Sequence, residues 1–351
     1  MVSGAAALAL CKSGDALALA GGPFAFTHAC VHVLDDPLSS DQASPLAVPA
    51  LLHWATGAAR GGDNGPAELV ERACAQRQDV ANLTLSGAGA RPRILGVCNV
   101  TSDSFSDGGA HVLPDDALLF ARAMMAAGAD IIDVGGESTR PGSEPVDPST
   151  ELARVLPVIE CLVSSGIPVS IDTRRALVMQ AAIAAGASLV NDVSALGDDP
   201  NSMAVVATAN VPVILMHKRG QPRDMQDNPQ YDDVVGEVYH LLAERIDACV
   251  AAGIAAERIM VDPGFGFGKS VAHNFELLAG LAQFHGLGCP VVVGLSRKSF
   301  IGTATGEEDP GQRVLGSVAA ALLAIDRGVH IVRVHDVVET SQALDVWRAS
   351  L

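Results

Sequence analysis

Aromatic side chains are scarce, at 4% of 351 residues, which excludes a binding surface built by stacking rings on a ligand. Positive charge is also short. Lys and Arg number 23 against 40 Asp and Glu, a formal net charge of −17. That balance excludes a general nucleic-acid or anionic-membrane surface and leaves phosphate recognition to a local basic or amide-lined pocket. No C-x-x-C pair occurs among the seven cysteines, Cys11, Cys30, Cys74, Cys98, Cys161, Cys249 and Cys289. Scattered and odd in number, they read as reduced thiols used as small apolar side chains in a reducing compartment. Long apolar runs are missing too. The first, residues 5–11, has no basic residue ahead of it and ends at Lys12. It makes a poor signal peptide and is far too short to span a membrane. The sequence therefore reads as soluble and cytoplasmic.

Apolar residues, by contrast, make up 49% of the chain, enough for a large core. The length suits a barrel of about 250 residues plus an extra segment. The composition changes near Arg91-Pro92-Arg93. Before it, residues 57–66 are Gly- and Ala-rich and read as loop. Residues 27–34 read as a strand, and 66–77 as a short helix with Pro66 in its first turn. Residues 1–92 as a whole suggest no fold. Packing against the rest of the chain, assisting dimerisation and poor order all stay open for them.

From Arg93 onward, short Val- and Ile-rich runs alternate with Ala- and Leu-rich helical stretches. The strand candidates are 94–99, 131–134, 169–172, 188–192, 213–216, 259–262, 291–295 and 331–334. Continuous apolar runs suit parallel strands covered on both faces. Helical stretches fall at 115–127, 148–164, 174–185, 232–252, 274–284, 312–326 and 338–349. Eight strands so connected predict a (β/α)8 TIM barrel over residues 93–351, preceded by an N-terminal extension over 1–92. A doubly wound open sheet is the alternative, and would more naturally carry a phosphate fingerprint after its first strand.

Each candidate strand ends in polar residues: Asn99, Asp133 through Glu137, Asp172, Asn191 and Asp192, His217, Asp262, Ser296-Arg297-Lys298, and Arg333 with His335 and Asp336. A lone Asp after a strand is commonly a helix cap. Eight strand ends doing so together point to one shared site at the barrel's C-terminal mouth. The loop Asn99-Val100-Thr101-Ser102-Asp103-Ser104-Phe105-Ser106-Asp107-Gly108-Gly109 has the make-up of a lid over a charged ligand. In Gly135-Gly136-Glu137-Ser138-Thr139-Arg140-Pro141-Gly142, Arg140 suits a phosphate or carboxylate, unless a neighbouring acid claims it.

The run Asp262-Pro263-Gly264-Phe265-Gly266-Phe267-Gly268-Lys269-Ser270 ends like a P-loop, but proline stands where the first required glycine belongs. Its glycines also lack the G-x-G-x-x-G spacing, so both nucleotide readings fail. The glycines read better as letting backbone approach a flat ligand held by Asp262. Asp172, Asn191 and Asp262 can accept from the N–H edge of an aminopyrimidinone, and Lys298 can donate to its carbonyl. Arg333 and His335, after the last strand, sit where barrels usually bind phosphate. The two halves suggest a heterocycle carrying a phosphate group.

With residues 99–109, 137–142, Ile171-Asp172-Thr173, Asn191-Asp192, Met216-His217, 262–269, 296–302 and Arg333-Val334-His335-Asp336, the chain resembles dihydropteroate synthases across all eight strand ends. The resemblance implies that 4-aminobenzoate displaces diphosphate from 6-hydroxymethyl-7,8-dihydropterin diphosphate, giving 7,8-dihydropteroate. It implies Mg²⁺ on Asn99 and pterin diphosphate on Thr139, Asp172, Asn191, Asp262, Lys298, Arg333 and His335. Of these, Asp172, Lys298, Arg333 and His335 carry the catalysis. It places 4-aminobenzoate, and the sulfonamides that compete with it, by Phe105, Arg140, Pro141, Phe267 and Ser299. A homodimer is implied as well, with no nucleic-acid or membrane partner.

The implied roles agree with elementary chemistry. Diphosphate leaves once its charge is neutralised by Mg²⁺, Arg333 and His335. Asp172 and Asp262 favour the positive character that develops on the pterin methylene, and a neutral arylamine needs no strong base. Two departures stand out: Ser102 replaces a usual proline, and Lys218-Arg219 adds charge after the fifth strand. Two other readings compete. A pterin-binding methyltransferase has no use for the Arg333/His335 pair. A catalytically silent pterin-binding paralogue or partner subunit has no use for the full motif set.

Overall fold

A computed structural model describes the chain except residues 31–44, 61–64, 88–89, 101–112, 139–142 and 222, and the side chains of residues 4 and 5. Eight parallel strands form its centre: β1 (Arg93–Asn99), β2 (Ile131–Gly135), β3 (Val169–Asp172), β4 (Leu189–Asp192), β5 (Val213–Met216), β6 (Ile259–Asp262), β7 (Val292–Val293) and β8 (Ile331–Val334). Successive strands pair in order from β1 to β6, β7 pairs β8, and β8 returns to β1. A parallel bridge between Val261 and Val291, with Val261 N donating to Pro290 O at 3.0 Å, joins β6 to the start of β7. The sheet is therefore a closed barrel of eight strands, as the strand count implies.

Around it lie α1 (Pro114–Ala126), α2 (Pro148–Ser164), α3 (Ala176–Ala184), α4 (Ser202–Ala209), α5 (Val234–Ala251), α6 (Val271–Gly280), α7 (Ser299–Thr305), α8 (Val314–Ile325) and α9 (Val337–Ala349). Helix starts follow local chemistry. Asp147 caps α2 by accepting from Ser149 N and Thr150 N, and Asp233 caps α5 through Val235 N and Gly236 N. Helix α6 begins three residues before the sequence reading, because Ser270 and His273 form a capping box in which His replaces the usual Glu or Gln. Two helices had no sequence signal. Helix α4 is short and rich in β-branched residues, and α7 follows directly on the Ser296-Arg297-Lys298 motif.

The period of two along each strand explains where the chemistry stands. Leu95, Ile131, Leu189, Ile214, Met260, Val292 and Ile331 form one buried cluster in the barrel interior, near the strand starts. Two residues further along the same faces stand Asp133, Asn191, Met216, Asp262 and Arg333. The interior thus changes from an apolar floor to a polar mouth within one step of the pleat.

Residues before β1 pack on the barrel away from that mouth. Strands Val2–Ser3, Leu17–Ala18 and Phe24–Phe26 make a small antiparallel sheet against the helix Gly4–Ser13. His28–Ala29 pairs with Leu46–Ala47, and the helices Val48–Arg60 and Gly65–Cys74 follow. Of the expected strand over 27–34 only His28–Ala29 is a strand, a separate piece Phe24–Phe26 precedes it, and residues 31–34 lie outside the described residues. Phe24 meets Trp347 of α9 with ring centroids 5.8 Å apart. The buried Arg77 guanidinium donates to the carbonyls of Arg72, Ala75 and His285 at 2.9, 3.0 and 2.9 Å, tying the last of these helices to the barrel wall. Val80, Leu83 and Leu85 join the apolar floor itself.

Candidate active site

Asp133, the middle residue of β2, is fully buried. Its Oδ2 accepts from Arg333 Nε at 2.6 Å and from Asn191 Nδ2 at 3.0 Å. Arg333 Nη2 donates to Asp172 Oδ2 at 2.7 Å. Residues from β2, β3, β4 and β8 therefore meet around one guanidinium. Asp172 and Arg333, expected in opposite halves of the site, are brought into an ion pair by the barrel's curvature. Burial raises the Asp172 carboxyl to about 7, with Arg333 opposing and Asp133 adding to the rise.

Asp262 ends β6 with its Oδ1 accepting from Gly264 N at 2.7 Å. Burial lifts its carboxyl to about 6, against the Gly264 N–H and the Lys298 and Lys269 ammoniums. Lys298, just before α7, lies over the Phe267 ring with Nζ 4.1 Å from the centroid. Burial lowers that ammonium to about 8, while Asp262 pulls it upward. A cation–π contact of this kind holds the lysine at the rim of the pocket next to Phe267. His335 N and Nδ1 both contact Ser296 Oγ, at 3.2 and 3.0 Å, which fixes the ring at the end of β8. Ser299 is exposed at the start of α7.

The glycine-rich run behaves differently from its expected role. Gly264 and Gly268 have φ of +71° and +64°. A Cβ at either would strike a backbone carbonyl, His217 O or Arg219 O, on the segment after β5. Their bareness serves close packing of two loops of the protein, and Gly266 lies beside Lys298. Between those loops stands Lys269, buried where its place at the end of a glycine-rich run suggests an exposed phosphate ligand. Its ammonium donates to His217 Nδ1, Gly264 O and Phe267 O at 2.8, 2.9 and 3.1 Å.

At the rim, Arg174 holds Glu137 with two bonds of 3.0 Å and Asp198 with one of 2.9 Å. Lys218 Nζ joins Asp198 at 2.6 Å and Arg219 Nη2 pairs with Glu237 at 2.7 Å, so the extra charge noted after the fifth strand is neutralised by neighbouring carboxylates. Glu137, Arg174 and Lys218 line a pocket together with Ser138, Ser143, Val193, Met225 and Phe267. Thr139, Phe105, Arg140 and Pro141 lie outside the described residues, as does Ser102.

Two side-chain oxygens of the kind a hard cation takes stand beside Gly135. A Cβ there would lie 3.5 Å from both Asn99 Oδ1 and Asp172 Oδ2. Among the described residues no group of three or more His, Cys, Asp or Glu is arranged to hold a metal. Mg²⁺ commonly takes only one or two protein oxygens and completes its shell with water and substrate phosphates, so this sparse set fits it.

Glu151, in the first turn of α2 beneath Gly136, is fully buried. Burial raises its carboxyl to about 7, with Thr173 opposing. The folded protein then keeps a proton that an unfolded carboxyl releases near 4.5. Its contribution to stability is full below that pH and lost as pH rises towards 7. Glu151→Gln is expected to flatten this fall, making the protein more stable at pH 8 by roughly 1–3 kcal/mol and little changed at pH 4. Urea melts of both proteins at the two pH values test it; equal shifts at both would refute the assignment.

Fold and site together define a pterin-binding barrel enzyme. The family model for pterin binding enzymes matches residues 95–335. Dihydropteroate synthase of Escherichia coli K12 is 47% identical over 261 residues, 74% of this chain and 92% of that protein. The solved dihydropteroate synthase of Xanthomonas albilineans with 4-aminobenzoic acid is 52% identical, with TM-score 0.72 over 78% of this chain and 97% of that one. The Yersinia pestis synthase in a sulfonamide drug complex is 46% identical, with TM-score 0.71 over 76% and 98%. The chain belongs to the dihydropteroate synthase family.

Proposed function

We propose that this chain joins 4-aminobenzoate to the methylene of 6-hydroxymethyl-7,8-dihydropterin diphosphate, releasing diphosphate and 7,8-dihydropteroate for folate synthesis. The observation that carries it is the convergence of Asp172, Asn191, Asp262, Lys298 and Arg333 on one barrel mouth. Asn191 and Asp262 take the N–H edge of the pterin, and Lys298 donates to its carbonyl or a ring nitrogen. Arg333 and His335 face the diphosphate end. The Asn99 oxygen would hold Mg²⁺, which supplies charge neutralisation to the departing diphosphate. As the C–O bond breaks, positive character spreads from the methylene into the pterin, and the carboxylates of Asp172 and Asp262 favour it. The amine attacks as a neutral nucleophile and loses its proton afterwards. Phe267, Ser299, Phe105, Arg140 and Pro141 are the residues assigned to 4-aminobenzoate, with which sulfonamides compete.

We also infer a homodimer in the cytoplasm. Seven unbridged cysteines support the reducing compartment, and two-fold dimers are the commonest soluble assemblies. Among the described residues no helix is long and apolar enough to cross a membrane. Residues 1–92 we read as an extension to the barrel of 93–351, with 80–85 serving as its floor.

The test is diphosphate release by the purified protein given pterin diphosphate, 4-aminobenzoate and Mg²⁺. Release that depends on both amine and metal, with dihydropteroate formed, is expected, and a sulfonamide should suppress it. Pterin binding without turnover would instead favour a silent paralogue.

A further inference from the structure

We infer that Asp133 is a positioning residue that fixes which way round the Asn191 amide stands, and through it which edge of a heterocycle the site accepts. The inference rests on the pterin reading of the site and deepens it. Asp133 meets no ligand in the roles assigned above. It is a fully buried carboxylate with one oxygen on two site residues, Arg333 Nε at 2.6 Å and Asn191 Nδ2 at 3.0 Å, from strands β8 and β4. Its other oxygen, also buried, has no hydrogen-bond partner among the described residues.

An asparagine amide is two-faced: one end donates, the other accepts, and a half-turn about its last bond exchanges them. A carboxylate in an ion pair with Arg333 only accepts. It therefore selects the Asn191 orientation with Nδ2 turned inward and leaves the carbonyl Oδ1 as the end offered to a ligand. A heterocycle bound there must present an N–H, as an aminopyrimidinone does, and one presenting a lone pair meets repulsion. Discrimination by a buried polar group left unpaired is worth far more than discrimination by shape. The same Asp133 oxygen steers the Arg333 guanidinium, whose Nη2 goes to Asp172. One hidden carboxylate so ties the group that reads the ring to the group that faces the leaving anion.

Asp133→Asn is the probing variant. It keeps the shape, yet its own amide can donate to Asn191 Oδ1 and let that side chain turn. Calorimetry with 6-hydroxymethylpterin, which carries no phosphate, is expected to show affinity about tenfold below the parent's, the size of one lost hydrogen bond. KM for 4-aminobenzoate should stay within about threefold, since that pocket is not touched. In the reciprocal double variant, Asp133→Asn with Asn191→Asp, residue 133 donates and residue 191 offers only acceptors, so pterin affinity should partly return.

Unchanged affinity for the phosphate-free pterin would overturn the inference. So would a loss confined to the diphosphate-bearing ligand, which would act through Arg333 alone, or a double variant weaker than the single. If neither variant folds, the carboxylate is needed for the barrel itself and the inference also fails. Turnover by the parent is measured alongside. A parent that binds pterin without turning over removes the proposed reaction and leaves the binding comparison to decide on Asp133.

Discussion

Arg333→Ala is expected to lower kcat/KM for the pterin diphosphate by about 10³-fold or more, roughly 4 kcal/mol of transition-state stabilisation. Two losses combine. The first is the cation we propose for the departing diphosphate, whose charge develops as the bond breaks. The second is internal. Asp133 Oδ2 and Asp172 Oδ2 both converge on this guanidinium, at 2.6 and 2.7 Å. Without it, two carboxylates are left close together in a buried mouth, and removing one partner of a buried ion pair typically costs about 3–5 kcal/mol.

The site relieves that strain by taking up a proton. Asp172, already raised to about 7 with the arginine present, moves further up and is neutral at physiological pH. Its support for the positive methylene then disappears as well. A lower melting temperature should accompany the loss of rate. Adding Asp172→Asn to Arg333→Ala should recover stability without recovering turnover, which separates the two losses. Steady-state diphosphate release and thermal melts of the three proteins provide the measurement. Activity within tenfold of the parent in Arg333→Ala would rule out this role.

The barrel was legible because its signal is redundant. Eight apolar runs each set strand and burial at once, and among the described residues seven of the nine barrel helices α1–α9 carry a helical period or a cap. The polar ends could be found one strand at a time, so Asp172, Asn191, Asp262, Lys298 and Arg333 emerged as candidates. Their pairing could not. Whether Arg333 meets an anion or Asp172 depends on barrel radius and stagger, which no local pattern encodes. Asp133 is marked in the sequence only as one of the polar residues ending its strand; it stands two residues after Ile131, and Ile131 belongs to the floor, so the pleat alone puts Asp133 inside. Lys269 was hidden by its neighbours, because a lysine ending a glycine-rich run suggests phosphate rather than a buried cross-link to His217. Residues 1–92 gave little, because their sheet is made of two- and three-residue strands and their docking depends on single contacts such as Arg77 with His285.

Gly264→Ala is the substitution expected to cost most in stability for the fewest atoms added. The residue has φ of +71°, and a left-handed backbone alone costs an alanine about 1–2 kcal/mol. Its new methyl would also sit inside the van der Waals shell of the His217 carbonyl oxygen. That carbonyl cannot simply retreat. His217 N donates to Asp262 O at 2.9 Å, Gly264 N donates to Asp262 Oδ1 at 2.7 Å, and Lys269 Nζ binds both Gly264 O and His217 Nδ1. Relief must separate the ends of β5 and β6, moving Asp262 out of the mouth and leaving buried acceptors short of donors. The total is expected at roughly 3–5 kcal/mol, with pterin affinity falling in step. Gly306 provides the control. Its φ of +74° imposes the same backbone strain, yet nothing stands within 4 Å of its Cβ position. Gly306→Ala should therefore cost only about 1–2 kcal/mol, with pterin binding intact. The difference between the two in denaturant melts isolates the collision with His217, and equal losses would mean that the loop can yield and that the packing of β5 against β6 does not hold Asp262 in place.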